Sequence, residues 1–295
     1  MRPIAEAAGH KTRLIHDEHE LGRWTRAVRT PDPRLRGLLY RDLLGFEQRD
    51  ATFSSWLEPP RPAYTLMVDL EGSISLAGER LPDAWIGGLS DRYAVVGFDA
   101  CRYTSIDLEL TPLGAWSVIG LPLHELERQT VTLEDAFGDA GQKLVDELHD
   151  AANWDTRFDI TERFLLERAQ AGPRPTPAVA HALSRLWQSG GRGRIESLAT
   201  EIGCSRRYLH ARFREQVGLA PKTVARLIRF GAVRRRIERA PARWADVAYD
   251  CGYADQAHLN RDFRELAGTT PTDFVSRLLP GYGGVMGDGV PFIQD

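Results

Sequence analysis

The sequence predicts an α+β protein of two domains, with an N-terminal domain of short strands and a helical pair and a C-terminal domain made only of helices. Strand-like alternation occupies residues 63–118, and one amphipathic helical unit occurs twice between 205 and 271. Charge also changes sign along the chain. Residues 1–172 hold 19 Arg plus Lys against 29 Asp plus Glu, and residues 173–280 hold 19 against 10. The net charge of −3 therefore conceals an acidic domain joined to a basic one, which is typical of a nucleic-acid binder with a separate partner module.

The N-terminal domain, residues 1–172, is long enough for one compact core. Its apolar residues alternate at Leu66, Val68 and Leu70, and the Glu-Gly pair at 71–72 offers a turn. The clearest strand is 103–110, in which Ile106, Leu108 and Leu110 alternate with Ser105, Asp107 and Glu109. Several short strands with Gly-rich turns predict a small β-barrel, with a sandwich as the alternative.

A helical pair follows the strands, at about 134–170. Its first helix is indicated by Leu144 and Leu148, and its second by Phe158, Phe164 and Leu165. A Pro-rich segment, AGPRPTPA, then begins at residue 171. We therefore expect four regions. They are the N-terminal domain 1–172, a linker 173–180, a helical domain 181–280 and a Gly-rich tail 281–295.

The helical domain contains an internal repeat of six residue types at an interval of fifty positions. The first copy consists of Leu209, Phe213, Arg214, Glu215, Gly218 and Pro221, and the second of Leu259, Phe263, Arg264, Glu265, Gly268 and Pro271. Six matched positions indicate one small structural unit built twice, and hence a duplicated ligand surface.

Each copy follows a short amphipathic run that ends at a glycine, Gly203 or Gly252, where a left-handed residue can close a helix. Ser205 and Asp255 come next, and both are good N-cap residues for the following helix. The pattern predicts helix, tight turn, helix in each copy, which is the layout of a DNA-binding helix-turn-helix. An ordinary helical core is the alternative, and the basic charge of this region favours DNA.

A connecting helix is predicted from 223 to 239, between Pro221 and Pro241. Val224, Leu227 and Ile228 form its buried stripe, and its arginines are expected to remain largely outside. A helix of this length spans roughly 25 Å. It can therefore hold two recognition helices near the ~34 Å separation of successive major grooves.

The stretch from about 192 to 278 resembles the DNA-binding domain of the AraC/XylS family of bacterial transcription regulators. The densest part of the likeness lies at Gly252-Tyr253, at the Phe-Arg-Glu of 263–265, and at Gly268 with Pro271. The resemblance implies two helix-turn-helix units that bind double-stranded DNA. The position of the buried residues and the resemblance together select the expected DNA contacts. Expected at base edges are Arg207, His210, Ala211, Gln256, Ala257, Asn260 and Arg261, and expected at phosphates are Ser205, Arg206, Arg214 and Arg264. For Arg214 and Arg264, a salt bridge to the neighbouring glutamate is the alternative.

Strands, a helical pair, a linker and a DNA-binding half follow the order of AraC-type regulators that have a cupin-like N-terminal domain. The resemblance implies control by a small-molecule effector, a homodimer formed through the helices at 134–170, and RNA polymerase as a further candidate partner. Those helices can equally cover one face of the barrel. In the tail, five glycines favour flexibility, although the apolar residues 290–293 can dock on a partner domain.

Aromatic residues in the N-terminal half are candidates for the lining of an effector pocket, with ordinary core packing as the alternative. They are Trp56, Tyr64, Met67, Trp85, Tyr93, Phe98, Tyr103 and Trp116. An N-terminal domain that binds another protein is the second reading of this half. A third is an enzyme whose helical domain merely resembles a regulator.

We expect no enzyme activity, because the sequence has no Gly-rich phosphate loop or nucleophile elbow and no histidine between His19 and His124. No metal or cofactor is expected either, because the three cysteines lack the paired spacing of zinc sites. The sparse cysteines, and the lack of a signal-like segment or a long apolar run, predict a reduced cytoplasmic protein without a membrane span.

Overall fold

A computed structural model describes residues 11–98, 102–239, 243–279 and 285–286. It confirms the α+β architecture, in which a strand-rich N-terminal half with a helical pair precedes a C-terminal half of helices.

Twelve strands are present in the described part of the chain. They are β1 (Arg13–His19), β2 (Gly22–Arg29), β3 (Leu43–Arg49), β4 (Ser55–Glu58), β5 (Tyr64–Glu71), β6 (Ile74–Leu76), β7 (Glu79–Arg80), β8 (Ala84–Gly87), β9 (Ala94–Phe98), β10 (Arg102–Leu110), β11 (Thr130–Thr132) and β12 (Val285–Met286).

The strands form two antiparallel sheets. The larger has the order β1-β2-β3-β10-β5-β8-β11, and the smaller has the order β12-β4-β9-β6-β7. The prediction of a closed barrel is wrong, because the outer strands of one sheet do not pair with those of the other within the described residues. The short strands of the smaller sheet instead stack on the larger one through a shared aromatic cluster, which is the sandwich alternative.

Strand β10 lies at the centre of the larger sheet and pairs with β3 on one side and β5 on the other. Its apolar set, Ile106, Leu108 and Leu110, belongs to the main hydrophobic cluster together with the helices. Because side chains alternate across a strand, its polar set must point to the opposite face, between the two sheets. The regular alternation in the sequence thus separates a core face from a face that lines a cavity.

Eleven α-helices occur in the described residues. They are α1 (Pro112–Ile119), α2 (Leu133–Phe137), α3 (Asp139–Asp150), α4 (Trp154–Ala171), α5 (Pro177–Gln188), α6 (Ile195–Ile202), α7 (Arg206–Val217), α8 (Pro221–Arg239), α9 (Trp244–Asp250), α10 (Gln256–Ala267) and α11 (Pro271–Ser276). Helices α3 and α4 are the pair that the sequence predicts at about 134–170, and α8 is the predicted connecting helix, which begins two residues earlier than expected.

Both helix-turn-helix units have the predicted geometry at their turns. Gly203 and Gly252 adopt positive φ angles of 75° and 79°, which favour glycine. Ser205 then caps α7 by accepting a hydrogen bond from the amide of Tyr208, and Asp255 caps α10 by accepting one from His258. The two units are therefore built by the same local rules.

The two described residues of the Gly-rich tail form a strand rather than a free segment. Val285 and Met286 form β12, which pairs with Leu57 and Trp56 at the edge of the smaller sheet. The amide of Met286 donates to the carbonyl of Arg277, so the chain folds back after α11. The backbone hydrogen bonds of this edge strand hold Val285 and Met286 against the sheet. The predicted docking segment 290–293 lies outside the described residues.

Within the described residues, no helix is both long enough and apolar enough to cross a membrane.

Candidate DNA interface and adjoining cavity

The outer faces of α7 and α10 carry matched sets of side chains. On α7, Arg207, His210, Ala211 and Arg214 are exposed and follow the i, i+3, i+4, i+7 spacing of one helical face. The equivalent face of α10 carries Ala257, Asn260, Arg261 and Arg264, each fifty positions later, with Gln256 beside them. Asn260 is half-buried and the others are exposed. Each unit therefore presents one polar face and buries the opposite one.

The buried faces fix both helices in the domain. Leu209 and Phe213 of α7, and Leu259 and Phe263 of α10, lie in the main hydrophobic cluster with exposures of 1% or less. The rings of Phe230 on α8 and Phe263 lie 4.9 Å apart. Rotation of either recognition helix would expose these side chains, so the orientation of the polar faces is set by packing.

Ion pairs between side chains also hold α10 against the connecting helix α8. Arg226 of α8 donates to Asp262 at 2.9 Å and pairs with Glu265 as well. Asp262 is buried, so this contact fixes the second unit against α8. The expectation that Arg226 remains outside is wrong, because two carboxylates of α10 draw its guanidinium into the helix interface.

Three of the residues expected at phosphates already have partners. The Ser205 hydroxyl accepts the capping bond from Tyr208, and Arg206 pairs with Glu196 at 3.3 Å. Arg214 pairs with Glu127 of the N-terminal domain at 2.9 Å. Arg264, the equivalent of Arg214 in the second unit, forms no ion pair with any described residue. The neighbouring glutamate is not the partner of Arg214, since Glu215 pairs with Arg212.

A tyrosine of the N-terminal domain packs against the glycine that ends each recognition helix. A methyl group on Gly218 would come within 2.1 Å of the Tyr64 hydroxyl, and one on Gly268 within 2.7 Å of Tyr93 Cε1. Gly218 and Gly268 are matched positions of the repeat. Both units therefore contact the N-terminal domain at the same point of their structure.

The two tyrosine contacts differ in kind. Tyr64 is fully buried, and its hydroxyl donates to the carbonyl of Val217 at 3.2 Å. Burial also raises the pKa of Tyr64, so the hydroxyl stays protonated and remains a donor. Tyr93, in contrast, is half-buried and lines a cavity of the N-terminal domain.

This cavity lies between the two sheets and has a volume of about 800 Å³. One wall is the polar face of β10, with Tyr103, Ser105, Asp107 and Glu109, and strands β4 and β9 form much of the opposite wall. The volume falls within the roughly 300–1,000 Å³ that is usual for small-molecule sites.

The structure divides the predicted pocket residues into two groups. The cavity is lined by Trp56, Met67, Trp85, Tyr93 and Tyr103. Tyr64 and Trp116 do not line it, because both point into the main hydrophobic cluster on the helical side of the larger sheet. Phe98 packs in the aromatic cluster between the sheets but is not part of the lining.

One end of the cavity holds a charged group that the sequence patterns did not predict. Arg41 pairs with Asp107 at 2.5 Å and with Glu109 at 3.3 Å, and Arg61 pairs with Glu109 and Glu58. The polar positions of β10 were the available signal, since two carboxylates alternate there with core residues. An ordinary half-exposed strand has the same pattern, so their position in a cavity could not be distinguished from the sequence.

Burial and neighbouring charges shift these carboxylates in opposite directions. Burial raises the pKa of Asp107, although Arg41 opposes this shift. Burial acts in the same way on Glu109, but Arg61 and Arg41 outweigh it and lower its pKa. Glu109 is therefore the stronger holder of negative charge in this group.

A third buried carboxylate, that of Asp69, lies beside the cavity. Asp69 accepts a hydrogen bond of 2.6 Å from the Tyr103 hydroxyl. Burial raises its pKa to about 6, and the hydrogen bond from Tyr103 only partly offsets that rise.

The described side chains include no group of three or more His, Cys, Asp or Glu residues placed to hold a metal ion. Cys251 is buried, and Cys204 is half-buried; neither forms a disulfide. Packing is the role that their positions support.

Comparison with known proteins connects these features to a family. A family model described as a helix-turn-helix domain matches residues 198–277. The HTH-type transcriptional activator RhaS of Escherichia coli O157:H7 is 30% identical over 78 residues, which are 26% of this chain and 28% of RhaS. The chain thus matches little more than a quarter of the length of such relatives.

Solved structures show likeness at lower identity. The C-terminal domain of AraT, a response regulator from Geobacillus stearothermophilus, aligns with 34% of this chain and 84% of its own, at 20% identity and a TM-score of 0.33. ToxT from Vibrio cholerae aligns with 79% of this chain and 98% of its own, at 12% identity and a TM-score of 0.47.

Proposed function

We infer that this protein is a DNA-binding transcription regulator, from the premise that residues 198–277 are a helix-turn-helix domain of the AraC/XylS type. The observation that carries the inference is the pair of capped recognition helices with matched polar faces in a domain of net positive charge. Such a surface is complementary to the phosphate backbone of DNA, and each helix is of a size that enters a major groove.

Roles within the two faces follow from the chemistry of the side chains. Arg207 can donate two hydrogen bonds to a guanine edge, and Asn260 can pair with adenine in the same bidentate way. Arg214 and Arg264 lie at the C-terminal ends of their faces, where their charged side chains suit phosphates. The neighbouring residues of the two faces are assigned to the major groove together with Arg207 and Asn260. They are His210, Ala211, Gln256, Ala257 and Arg261.

Selection of bound fragments from a random duplex library by the full chain tests this function. We expect one enriched site with two recognition elements about one helical turn apart, because the two units belong to one chain. Affinity for that site should fall steeply with salt if roughly 6–10 phosphates are contacted. The absence of any enriched sequence would refute sequence-specific binding.

We propose further that the N-terminal domain controls the DNA-binding half through a small molecule in the intersheet cavity. A concave space of this size between two sheets favours a small molecule over a protein partner, which would need a broad exposed surface. Tyr93 supplies the physical link, since it lines the cavity and contacts Gly268 at the end of α10. We also propose that this two-sheet domain is cupin-like.

A homodimer through α3 and α4 completes the proposal. Only Gly141, Leu144 and Leu148 of the twelve residues of α3 are buried, so most of its surface is available to a second copy. Sedimentation equilibrium of the full chain would measure the assembly, and a monomer at micromolar concentration would contradict it.

A further inference from the structure

One arginine of the connecting helix α8 contacts both helix-turn-helix units. The Nη1 of Arg229 donates to the carbonyl of Gly191 at 2.8 Å. Its guanidinium carbon lies over the ring of Tyr253, 5.7 Å from the ring centroid, which is within the range of a cation–π contact. Gly191 lies in the turn before α6, at the entry to the first unit, and Tyr253 lies between α9 and α10 of the second unit. A single side chain therefore joins the two units.

Two glycines allow a second point of contact between the same segments. Gly191 has a φ of 76°, and a methyl group on it would lie 2.2 Å from a carbonyl oxygen of α8 and 3.0 Å from Arg229 Cγ. Gly252 has a φ of 79°, and a methyl group on it would lie 2.5 Å from Cγ and Cδ of Arg192. Because Arg192 follows Gly191 and Tyr253 follows Gly252 in the chain, these contacts form a closed ring through Arg229. Contacts at separate points restrict rotation as well as distance.

The side chain of Arg229 is packed between the units rather than solvated on the surface. Its Nε has almost no contact with solvent, and Tyr253 is 4% exposed. Loss of water around the guanidinium strengthens its attraction to the ring. Arg226, nearly one turn earlier on α8, pairs with two carboxylates of α10 and so holds the second unit. Arg229 differs from Arg226 because it also reaches the first unit.

The contact with Arg229 lies near the end of α10 that we assign to base reading. Tyr253 lies two residues before the N-cap of α10, and the N-terminal residues of a recognition helix, here beginning with Gln256, reach base edges. The N-terminal domain contacts the opposite end of α10, where Tyr93 packs on Gly268. The two ends of this helix are about 18 Å apart. The contact with the N-terminal domain therefore does not replace the contact with Arg229.

We propose that Arg229 is a positioning residue that fixes the N-terminal end of α10 relative to the first unit and thereby sets the number of base pairs between the two halves of the DNA site. This inference rests on the proposed DNA-binding function and adds to it the determinant of spacing. One inserted base pair moves the second half of a site by about 3.4 Å and rotates it by roughly 34° about the duplex axis. A rigidly held helix cannot follow this change, whereas a loosely held one follows it in part.

Duplexes with one base pair inserted or removed between the two halves of the selected site test this role. Affinity of the full chain is measured by fluorescence anisotropy at fixed salt. We expect the wild-type chain to bind the altered duplexes about 10-fold more weakly than the selected site, because base contacts of one recognition helix are lost. This ratio is the spacing factor.

Arg229→Met keeps an unbranched apolar stem and removes the guanidinium. It should reduce the spacing factor to about 3 and weaken binding to the selected site about 2–10-fold, because the loosened helix end must be ordered on binding. Arg235→Met is the matched control, since it removes the same charge from an exposed side chain of α8. It should retain the full spacing factor.

Variants of Tyr253 test the same contact from the second unit. Tyr253→Phe keeps the ring face and should retain the full spacing factor, whereas Tyr253→Leu removes the ring and should reduce it as Arg229→Met does. The double variant Arg229→Met with Tyr253→Leu should reduce it no further, because both changes remove one contact. A purely structural role would lower the thermal midpoint without changing the spacing factor. If one of these two single variants does not fold, the other retains the test.

A distance measurement without DNA tests the rigidity directly. Spin labels are attached to cysteines introduced at Ala211 and Ala257, which are exposed on α7 and α10, after the three native cysteines have been replaced by alanine. Pulsed electron paramagnetic resonance of the full chain then gives the distribution of distances between the labels. We expect a narrow distribution in the otherwise wild-type chain and with Arg235→Met, and a broader one with Arg229→Met.

An unchanged spacing factor or an unchanged width of the distance distribution in Arg229→Met would overturn the proposal, as would an equal effect of Arg235→Met. A wild-type chain that selects a site but tolerates altered spacing would keep the regulator function and lose only this inference. Selection of no DNA site would instead refute the proposed function. The distance distributions need no DNA, so they would still decide in that case whether Arg229 holds the two units.

Discussion

The ion pair between Arg214 and Glu127 should lower the affinity of this protein for DNA. Arg214 lies on the face of α7 that we assign to DNA, yet its guanidinium is 2.9 Å from a carboxylate of the N-terminal domain. A phosphate contact would have to replace that carboxylate. Glu127→Gln removes the competing charge and should therefore increase DNA affinity.

The size of the effect follows from the exposure of the pair. The side chains of Arg214 and Glu127 are 44% and 32% exposed, so solvent screens their interaction. Exposed pairs of this kind contribute about 0.2–1 kcal/mol. The dissociation constant should accordingly fall about 1.4–5-fold. Because a phosphate contact carries no sequence information, the gain should be equal on the selected site and on a random duplex.

Fluorescence anisotropy with labelled duplexes at fixed salt measures both constants, and Glu125→Gln is the matched control. Glu125 lies in the same short segment, is exposed and forms no ion pair with a described residue, so its loss changes net charge alone. In the background of Arg214→Ala, Glu127→Gln should have no further effect. Arg264→Ala should lower DNA affinity more than Arg214→Ala does. Arg214 must break its ion pair with Glu127 to bind a phosphate, whereas Arg264 has no ion pair with a described residue to break. Equal gains from the two glutamine variants would refute the reasoning.

Three further outcomes are expected. Arg207→Ala and Asn260→Ala should each lose about 1–3 kcal/mol of binding free energy on the selected site and should relax the preference for particular bases. Arg185→Ala, a control that removes the same charge from α5, should leave that preference unchanged. Equal losses on the selected site and on a random duplex would contradict base reading. Tyr64→Phe should lower the free energy of unfolding in urea by about 0.5–1.5 kcal/mol, because the α7 carbonyl loses its donor; an unchanged midpoint would show that this bond does not contribute. Asp69, with a pKa of about 6 in the folded protein against 3.8 ordinarily, binds its proton more tightly when folded, so stability should fall as pH rises from about 4 to 6. Asp69→Asn should flatten that slope in thermal denaturation, and an unaltered slope would exclude Asp69 as its cause.

The C-terminal half was predictable because its signals are local. A cap such as Ser205 or Asp255 acts within three residues, and the apolar stripe of a helix repeats within two turns. The fifty-residue repeat then placed two equal units in one chain. The family likeness of residues 198–277 agrees with that interpretation.

The candidate cavity was predictable only in part. Aromatic residues such as Trp56 and Trp85 were named from their type, and both line it. Tyr64 has the same type and lies on a neighbouring strand, but its side chain faces the helices. Which face of a strand looks inward depends on register with other strands, and a shift of one residue reverses it.

The sequence by itself determined the helices with their caps, the duplicated recognition unit and the opposite charges of the two halves, because each depends on residues close together in the chain or on composition. Only the tertiary structure decided that the polar face of β10 lines a cavity, that Glu127 reaches Arg214, and that Val285 joins the smaller sheet beside Leu57. These contacts join residues far apart in sequence. Their formation depends on how whole elements pack, which no short pattern records.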